Sequence, residues 1–298
     1  MVDETELADR ALGAYLGFAC GDALGATVEF MSPKLIRRRI GVHRDITGGG
    51  WLGLDAGQVT DDTQMALALG QALIDRQAWD LRAIADNFVA WLQSEPPDVG
   101  NTCRRGIQRY RDTGFLHGEP RDDEAGNGGC MRNLPVVLAT LRQPQLMLDC
   151  SLQQCRLTHH HPLADSGTLA MAQMLRSLLL GGDAVACSRI AEDLIQAAPQ
   201  FEFRPYPGKA SAYIVDTVQT VLHYFFATDS FEDCLIATVN QGGDADTTGA
   251  LAGMLAGAYY GLDAIPQRWL DALDAEVAGQ IRRQTSALLA LADNINQT

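Results

Sequence analysis

Two stretches of the chain place a glycine at every fourth position of an otherwise apolar helical pattern: Gly13, Gly17, Gly21 and Gly25, then Gly249, Gly253, Gly257 and Gly261. Residues four apart share one face of an α-helix, so each stretch forms a helix with a bare backbone ridge. Glycine inside a helix costs about 1 kcal/mol relative to alanine. Eight glycines so spaced imply a compensating contact, the close approach of a neighbouring backbone to each ridge.

The second ridge belongs to GGDADTTGALAGMLAGAYYG, residues 242–261, where Asp244, Asp246, Thr247 and Thr248 precede an apolar run. VTDDTQMALALGQAL, residues 59–73, sets Thr60, Asp61, Asp62 and Thr63 ahead of an apolar helix in the same way. Asp and Thr at a helix start ordinarily cap free N–H groups and answer the helix dipole. Caps use one or two oxygens per helix, and these heads carry more. If the two heads converge, four carboxylates meet and their repulsion demands a counter-charge. One dication leaves half of it; two cancel it. No histidine or cysteine lies in either head, and an all-oxygen donor set selects Mg²⁺ or Mn²⁺ over zinc or copper. The expectation is a binuclear centre of that class.

Helical spacing dominates elsewhere, at 7–28, 63–74, 81–92, 134–141, 163–180, 184–198, 212–226, 231–239, 248–260 and 266–292. Asp80 and Ser230 stand where N-caps belong. Alternating strand patterns are nearly absent. The Gly- and Pro-rich stretches 32–60, 94–101, 112–133 and 199–209 read as irregular, and none has linker composition throughout. A single all-α domain over residues 1–298 is expected, with 47% apolar composition to fill its core.

A net charge of -14 opposes attraction to a nucleic-acid backbone or an anionic bilayer. The beginning MVDETELADR is acidic where a secretory signal is basic, and the apolar run 11–21 stops at Asp22, short of the roughly 18 residues of a membrane span. These features predict a cytoplasmic protein with no membrane span and no nucleic-acid partner. The seven scattered cysteines form no CxxC pair and read as buried free thiols.

Five segments carry a family resemblance: GDALGATVEF (21–30), TDDTQMALAL (60–69), GNGGCMR (126–132), LTHHHPLADSG (157–167) and GGDADTTGALAGMLAGAYYG (242–261). In that order they resemble the signature segments of the ADP-ribosylglycohydrolases, across nearly the whole chain. The resemblance implies that Thr60, Asp61, Asp62, Asp244, Asp246 and Thr247 ligate two divalent cations, Mn²⁺ or Mg²⁺. It places Glu29 facing that centre. It gives His159 a contact to ADP-ribose and Tyr213 a place near the arginine end. The loop Asn127, Gly128, Gly129 offers backbone N–H groups to phosphate or ribose oxygens, although the family often has Ser or Ala where Gly129 stands. His160 and His161 read as surface or structural, since consecutive side chains point in different directions. Asp98 lies in a Pro- and Gly-bounded loop suited to a catalytic acid or base, a role open equally to Glu29. The basic spot Arg37, Arg38, Arg39 reads as a solvated face or as a dock for an acidic regulatory protein.

The implied reaction is hydrolysis of the N-glycosidic bond between ADP-ribose and a protein arginine. Size and composition point, within the family, to members acting on the nitrogenase iron protein. Two rivals stand beside it: a two-metal phosphoesterase and a non-catalytic ADP-ribose-binding regulatory protein.

Overall fold

The computed structural model describes residues 2–295. They form α1 (Glu4–Ala26), α2 (Pro33–Arg39), α3 (Asp61–Arg76), α4 (Leu81–Gln93), α5 (Asn101–Thr113), α6 (Leu134–Ala139) and α7 (Pro144–Arg156). There follow α8 (Pro162–Leu179), α9 (Ala184–Ala197), α10 (Ile214–Ala227), α11 (Phe231–Val239), α12 (Ala245–Tyr260), α13 (Gln267–Ala272) and α14 (Ala275–Leu291). Among the described residues only two isolated bridges, Gly49 with Leu54 and Gly126 with Tyr213, have strand pairing, so the all-α expectation is borne out.

The two glycine ridges face each other. A Cβ on Gly13 would lie 2.6 Å from the Gly257 carbonyl oxygen and one on Gly17 2.5 Å from that of Gly253, while Gly21 meets Gly249 and Gly25 meets Ala245 still more closely. Each step of four forward along α1 is a step of four back along α12, so the helices are antiparallel in one register. Gly261, the C-cap of α12 with a φ of 83°, ends the ridge, its carbonyl carbon 2.9 Å from where a Cβ on Gly13 would lie. From Gly13 to Ala26 every residue of α1 is buried, as is every residue of α12 from Ala245 to Ala258. Helices apolar all round belong in a core, and one continuous cluster of buried side chains surrounds this pair.

The antiparallel register brings the C-terminal end of α1 beside the N-terminal end of α12. The start of α3 is fixed to the same place by Asp22 of α1. Its buried carboxylate accepts the N–H of Thr60 at 3.1 Å and of Thr63 at 3.2 Å, together with the Thr63 hydroxyl. Asp22 thus caps the first turn of a neighbouring helix, whose N–H groups have no partners within the helix itself.

Three helices fall where no helix is expected from sequence. In α5 only Cys103, Gly106 and Ile107 are buried, and the rest of NTCRRGIQRYRDT is so polar and charged that few apolar residues mark its inward face. In α7 the inward positions include Ser151 and Gln154, which break the apolar pattern while keeping its spacing. The short α2 begins at a Ser32 cap followed by proline and buries only Ile36. Conversely, the expected helix 266–292 is interrupted between α13 and α14, where Leu273 is extended and Asp274 caps α14 through the N–H groups of Glu276 and Val277.

The ridge contact sets the sign of a substitution. Replacing glycine by alanine in a helix interior ordinarily stabilises by about 1 kcal/mol. For Gly17→Ala the added methyl collides with backbone, and we expect a net loss of about 1–3 kcal/mol in urea unfolding, as for overpacked cores. A gain in stability would show that the ridges are not in contact.

Candidate functional site

The polar heads of α3 and α12 converge. The Thr247 hydroxyl donates to Asp62 Oδ2 at 3.1 Å, tying the two helix starts together. Asn127 Nδ2 donates to Asp244 Oδ2 at 2.5 Å and to Thr217 Oγ1 at 3.0 Å. The GNG loop is held in turn by α10, since the Asn127 N–H donates to Ala212 O and the Ile214 N–H to Ala125 O, both at 2.9 Å.

Glu29 arrives by the turn that ends α1. There Phe30 takes a left-handed φ of 59°, unusual for a bulky residue, and is pinned by two backbone bonds. The Phe30 N–H donates to Gly243 O at 2.7 Å, and the Gly243 N–H to Met31 O at 2.9 Å. Gly243 must be glycine, for a Cβ there would meet the Ala210 carbonyl. The Trp51 indole N–H donates to Glu29 Oε2, and one oxygen each from Glu29, Asp244 and Asp246 lies within 4.8 Å of the others.

A cavity of about 320 Å³ opens onto this cluster. Ten of the thirteen residues singled out from sequence line it: Glu29, Asp61, Asp62, Asp98 and His159 on its walls, with Asn127, Gly128, Asp244, Asp246 and Thr247. The remaining three do not. Thr60 is fully buried behind the cavity, its hydroxyl accepting the Asp62 N–H at 3.4 Å. Gly129 packs against Cys155 and gives its carbonyl to Gln154. Tyr213 is 38% exposed at the start of α10, outside the lining. His160 and His161 serve structure: the His160 N–H donates to Glu124, and His161 Nδ1 caps α8.

Sequence reading assigned no role to Asp22, although a lone carboxylate inside the ridge of α1 was a visible signal. Phe30 on the lining and Trp51 beside Glu29 were also unassigned. Trp51 is distant in sequence and irregular in setting, and nothing in its neighbourhood announces the contact.

Seven carboxylates surround the site, namely Asp22, Glu29, Asp61, Asp62, Asp98, Asp244 and Asp246. Among the described residues none of them makes a salt bridge. Burial pushes the Glu29 and Asp61 carboxyls up to about 8, with repulsion from Asp98 and Asp244 adding to it in both. Asp62 and Asp246 are raised well above the carboxylate range by burial and by neighbouring carboxylates. Asp22 and Asp244 rise only to about 6, because hydrogen bonds from threonines, and from Asn127 for Asp244, offset part of the burial.

These groups fit a hard divalent cation. The donors are all oxygen, no salt bridge among the described residues neutralises them, and Asp62 Oδ1 is buried without a hydrogen-bond partner. His159 differs: burial, then repulsion from Arg132 and Arg105, depresses it to about 3. It is a neutral imidazole at physiological pH.

The family model described as ADP-ribosylglycohydrolase matches residues 3–297. The chain belongs to the ADP-ribosylglycohydrolase family. It is 56% identical, over 95% of its length and 97% of the relative's, to the ADP-ribosyl-[dinitrogen reductase] glycohydrolase of Rhodospirillum rubrum. The ADP-ribosylarginine hydrolase Tri1 of Serratia proteamaculans is 31% identical over 92% of this chain and 77% of its own. A solved structure titled ADP-ribosylglycohydrolase-related protein complex superposes with a TM-score of 0.86 at 35% identity, covering 97% of this chain and 99% of that one. The enzyme class of this glycohydrolase follows from the family, and no helix among its described residues is long and apolar enough to cross a membrane.

The raised carboxyls give cation binding a pH dependence. Without metal, the folded glycohydrolase retains protons on Glu29 and Asp61 up to about pH 8, whereas ordinary values for these groups are 4.5 and 3.8. The folded state then binds more protons than the unfolded one across that window, so these groups lose their stabilising effect as pH rises through it. A cation must displace the same protons and binds better as pH rises. We expect the thermal shift produced by Mg²⁺ or Mn²⁺ to grow from pH 5.5 to pH 8, the histidine contributions cancelling in the difference. A shift independent of pH would contradict the assignment.

Proposed function

We propose that this glycohydrolase cleaves the bond between C1 of the distal ribose of ADP-ribose and a guanidinium nitrogen of a protein arginine, with the nitrogenase iron protein as macromolecular substrate. The observation that carries the reading is the meeting, in one cavity, of an oxygen-only cation site with the GNG loop and the neutral His159. The relative from Rhodospirillum rubrum is named for dinitrogen reductase, and two others, from Serratia proteamaculans and Pseudomonas putida, are named ADP-ribosylarginine hydrolases. A working place in the cytoplasm accords with that substrate.

Two Mn²⁺ or Mg²⁺ ions would be held by Asp61, Asp62, Asp244, Asp246 and Thr247, with Thr60 behind them and Glu29 alongside. When bound, such ions orient ribose hydroxyls and raise the acidity of a water molecule at the site. Proton transfer falls to Asp98. It lies on the cavity wall outside the Glu29, Asp244, Asp246 cluster, and burial raises it above the ordinary range.

Asp98 takes a proton from water as its oxygen bonds to C1 and the C1–N bond breaks. It then returns that proton to the departing guanidine. The Gly128 backbone and His159 line the wall that would receive ribose or diphosphate oxygens, and Tyr213, partly exposed outside the lining, would face the incoming protein.

Chromatography of the products tests the reaction. Free ADP-ribose and unmodified arginine are expected from ADP-ribosylarginine in the presence of Mn²⁺. AMP formed while arginine-linked ADP-ribose persists would favour a phosphoesterase, and tight ADP-ribose binding without turnover would favour a non-catalytic binding protein. Asp98→Asn is expected to lower kcat about 10²- to 10⁴-fold while leaving the cation-induced thermal shift in place. Asp62→Ala, by contrast, should abolish both, with the helical circular dichroism retained. Loss of helicity in Asp62→Ala would make that carboxylate a structural cap instead.

A further inference from the structure

Among the residues of the signature segments still without a role are Arg132 in GNGGCMR and Thr158 in LTHHHPLADSG. Arg132 is wholly buried and has no carboxylate partner among the described residues. A guanidinium cannot shed its charge, so burying one requires that its N–H groups be used. Its Nε donates to Gln154 Oε1 at 2.9 Å, Nη1 to Cys103 Sγ at 3.6 Å, and Nη2 both to Gln154 O and to Thr158 Oγ1 at 2.8 Å. The Phe88 ring covers it, with the guanidinium carbon 4.7 Å from the ring centroid.

Thr158 Oγ1 therefore acts as an acceptor toward Arg132, and its own proton needs an acceptor in turn. Besides Arg132, this buried hydroxyl meets His159 Nδ1 at 2.8 Å and the Cys103 sulfur, a weak acceptor already engaged by Arg132 Nη1, so the strong acceptor open to it is Nδ1. Were Nδ1 protonated, the Thr158 O–H would be left buried without that acceptor, at a cost of about 1–3 kcal/mol. The remaining arrangement has Thr158 donating to Nδ1, which leaves the ring proton on Nε2. That nitrogen lies on the cavity side, beside Gly126 and Gly128, where a Cβ on either glycine would come within 3.1 Å of it.

We propose that Arg132 and Thr158 are positioning residues that hold His159 as the Nε2–H tautomer and so aim an N–H donor at an oxygen of bound ADP-ribose. This rests on the cavity being the ADP-ribose site. The chain Arg132–Thr158–His159 polarises in one direction, each group donating to the next, and such a sequence strengthens its last donor. The depressed basicity of His159 serves the same end, since an imidazolium would put a proton on Nδ1 and break the chain. Gly126 and Gly128 are glycines because their side chains would occupy the space of the ring.

The tautomer can be read directly by two-bond ¹H–¹⁵N correlation on the full-length, Mg²⁺-loaded protein labelled at histidine, with the His159 signals identified by their loss in His159→Gln. We expect a protonated Nε2 and a bare Nδ1 without ligand; a proton on Nδ1 overturns the proposal. By calorimetry, Thr158→Val should bind ADP-ribose about tenfold more weakly, in the range of one lost hydrogen bond, while Thr158→Ser binds as the parent does. Equal affinity of Thr158→Val and the parent overturns the relay. A parent protein that fails to bind ADP-ribose overturns the reading of the cavity instead, and the ligand-free tautomer separates that failure from failure of the relay.

Discussion

The backbone-to-backbone contact of α1 with α12 is what the remainder of the site depends on. Side chains of ordinary size would hold two helices 8–10 Å apart and permit several neighbouring registers. Glycine facing glycine at Gly13–Gly257, Gly17–Gly253 and Gly21–Gly249 permits close approach and one register. That register delivers Asp22 and Glu29, from the end of α1, to the start of α12. Asp22 then fastens α3 to the same point through Thr60 and Thr63. The apolar helices with polar heads are thus rigid stems, and their heads meet because their stems can meet in only one way.

The site assembled by this packing is electrostatically unfavourable as protein alone. Buried carboxylates repel one another, and the wholly buried guanidinium nearby, Arg132, is engaged with Gln154, Cys103 and Thr158 instead of with any of them. The left-handed Phe30 adds backbone strain at the turn that presents Glu29. Both costs are sustained by the core around α1 and α12, and divalent cations held there would relieve the first. The opposite environment of His159, buried among arginines, keeps one wall of the cavity neutral and able to donate while the other is anionic.

Much of this was legible in the sequence because it rests on periodicity and on local excess. The ridges announced a close contact, and the surplus of oxygens at Thr60–Thr63 and Asp244–Thr248 announced a shared centre. The partner of each ridge was not legible, since nothing local says that one ridge packs on the other. Helices α5 and α7 escaped because their inward faces carry few apolar residues or are partly polar: Gln154 of α7 points inward to serve Arg132, which no pattern of apolar residues reveals. Tyr213 and Gly129 were placed by family segments alone. In the structure Tyr213 is partly exposed outside the cavity lining and Gly129 packs against Cys155, which a motif cannot distinguish from a place on the cavity wall.

If the glycine-packed helices serve to gather carboxylates around divalent cations, the folded protein must retain those ions. Metal content tests it most directly: the full-length protein would be loaded with Mn²⁺ at pH 8, freed of excess ion, and analysed for bound metal alongside a check of its helical dichroism. Close to two ions per chain are expected. A content near zero in a folded preparation that still hydrolyses ADP-ribosylarginine would contradict that role for the helices.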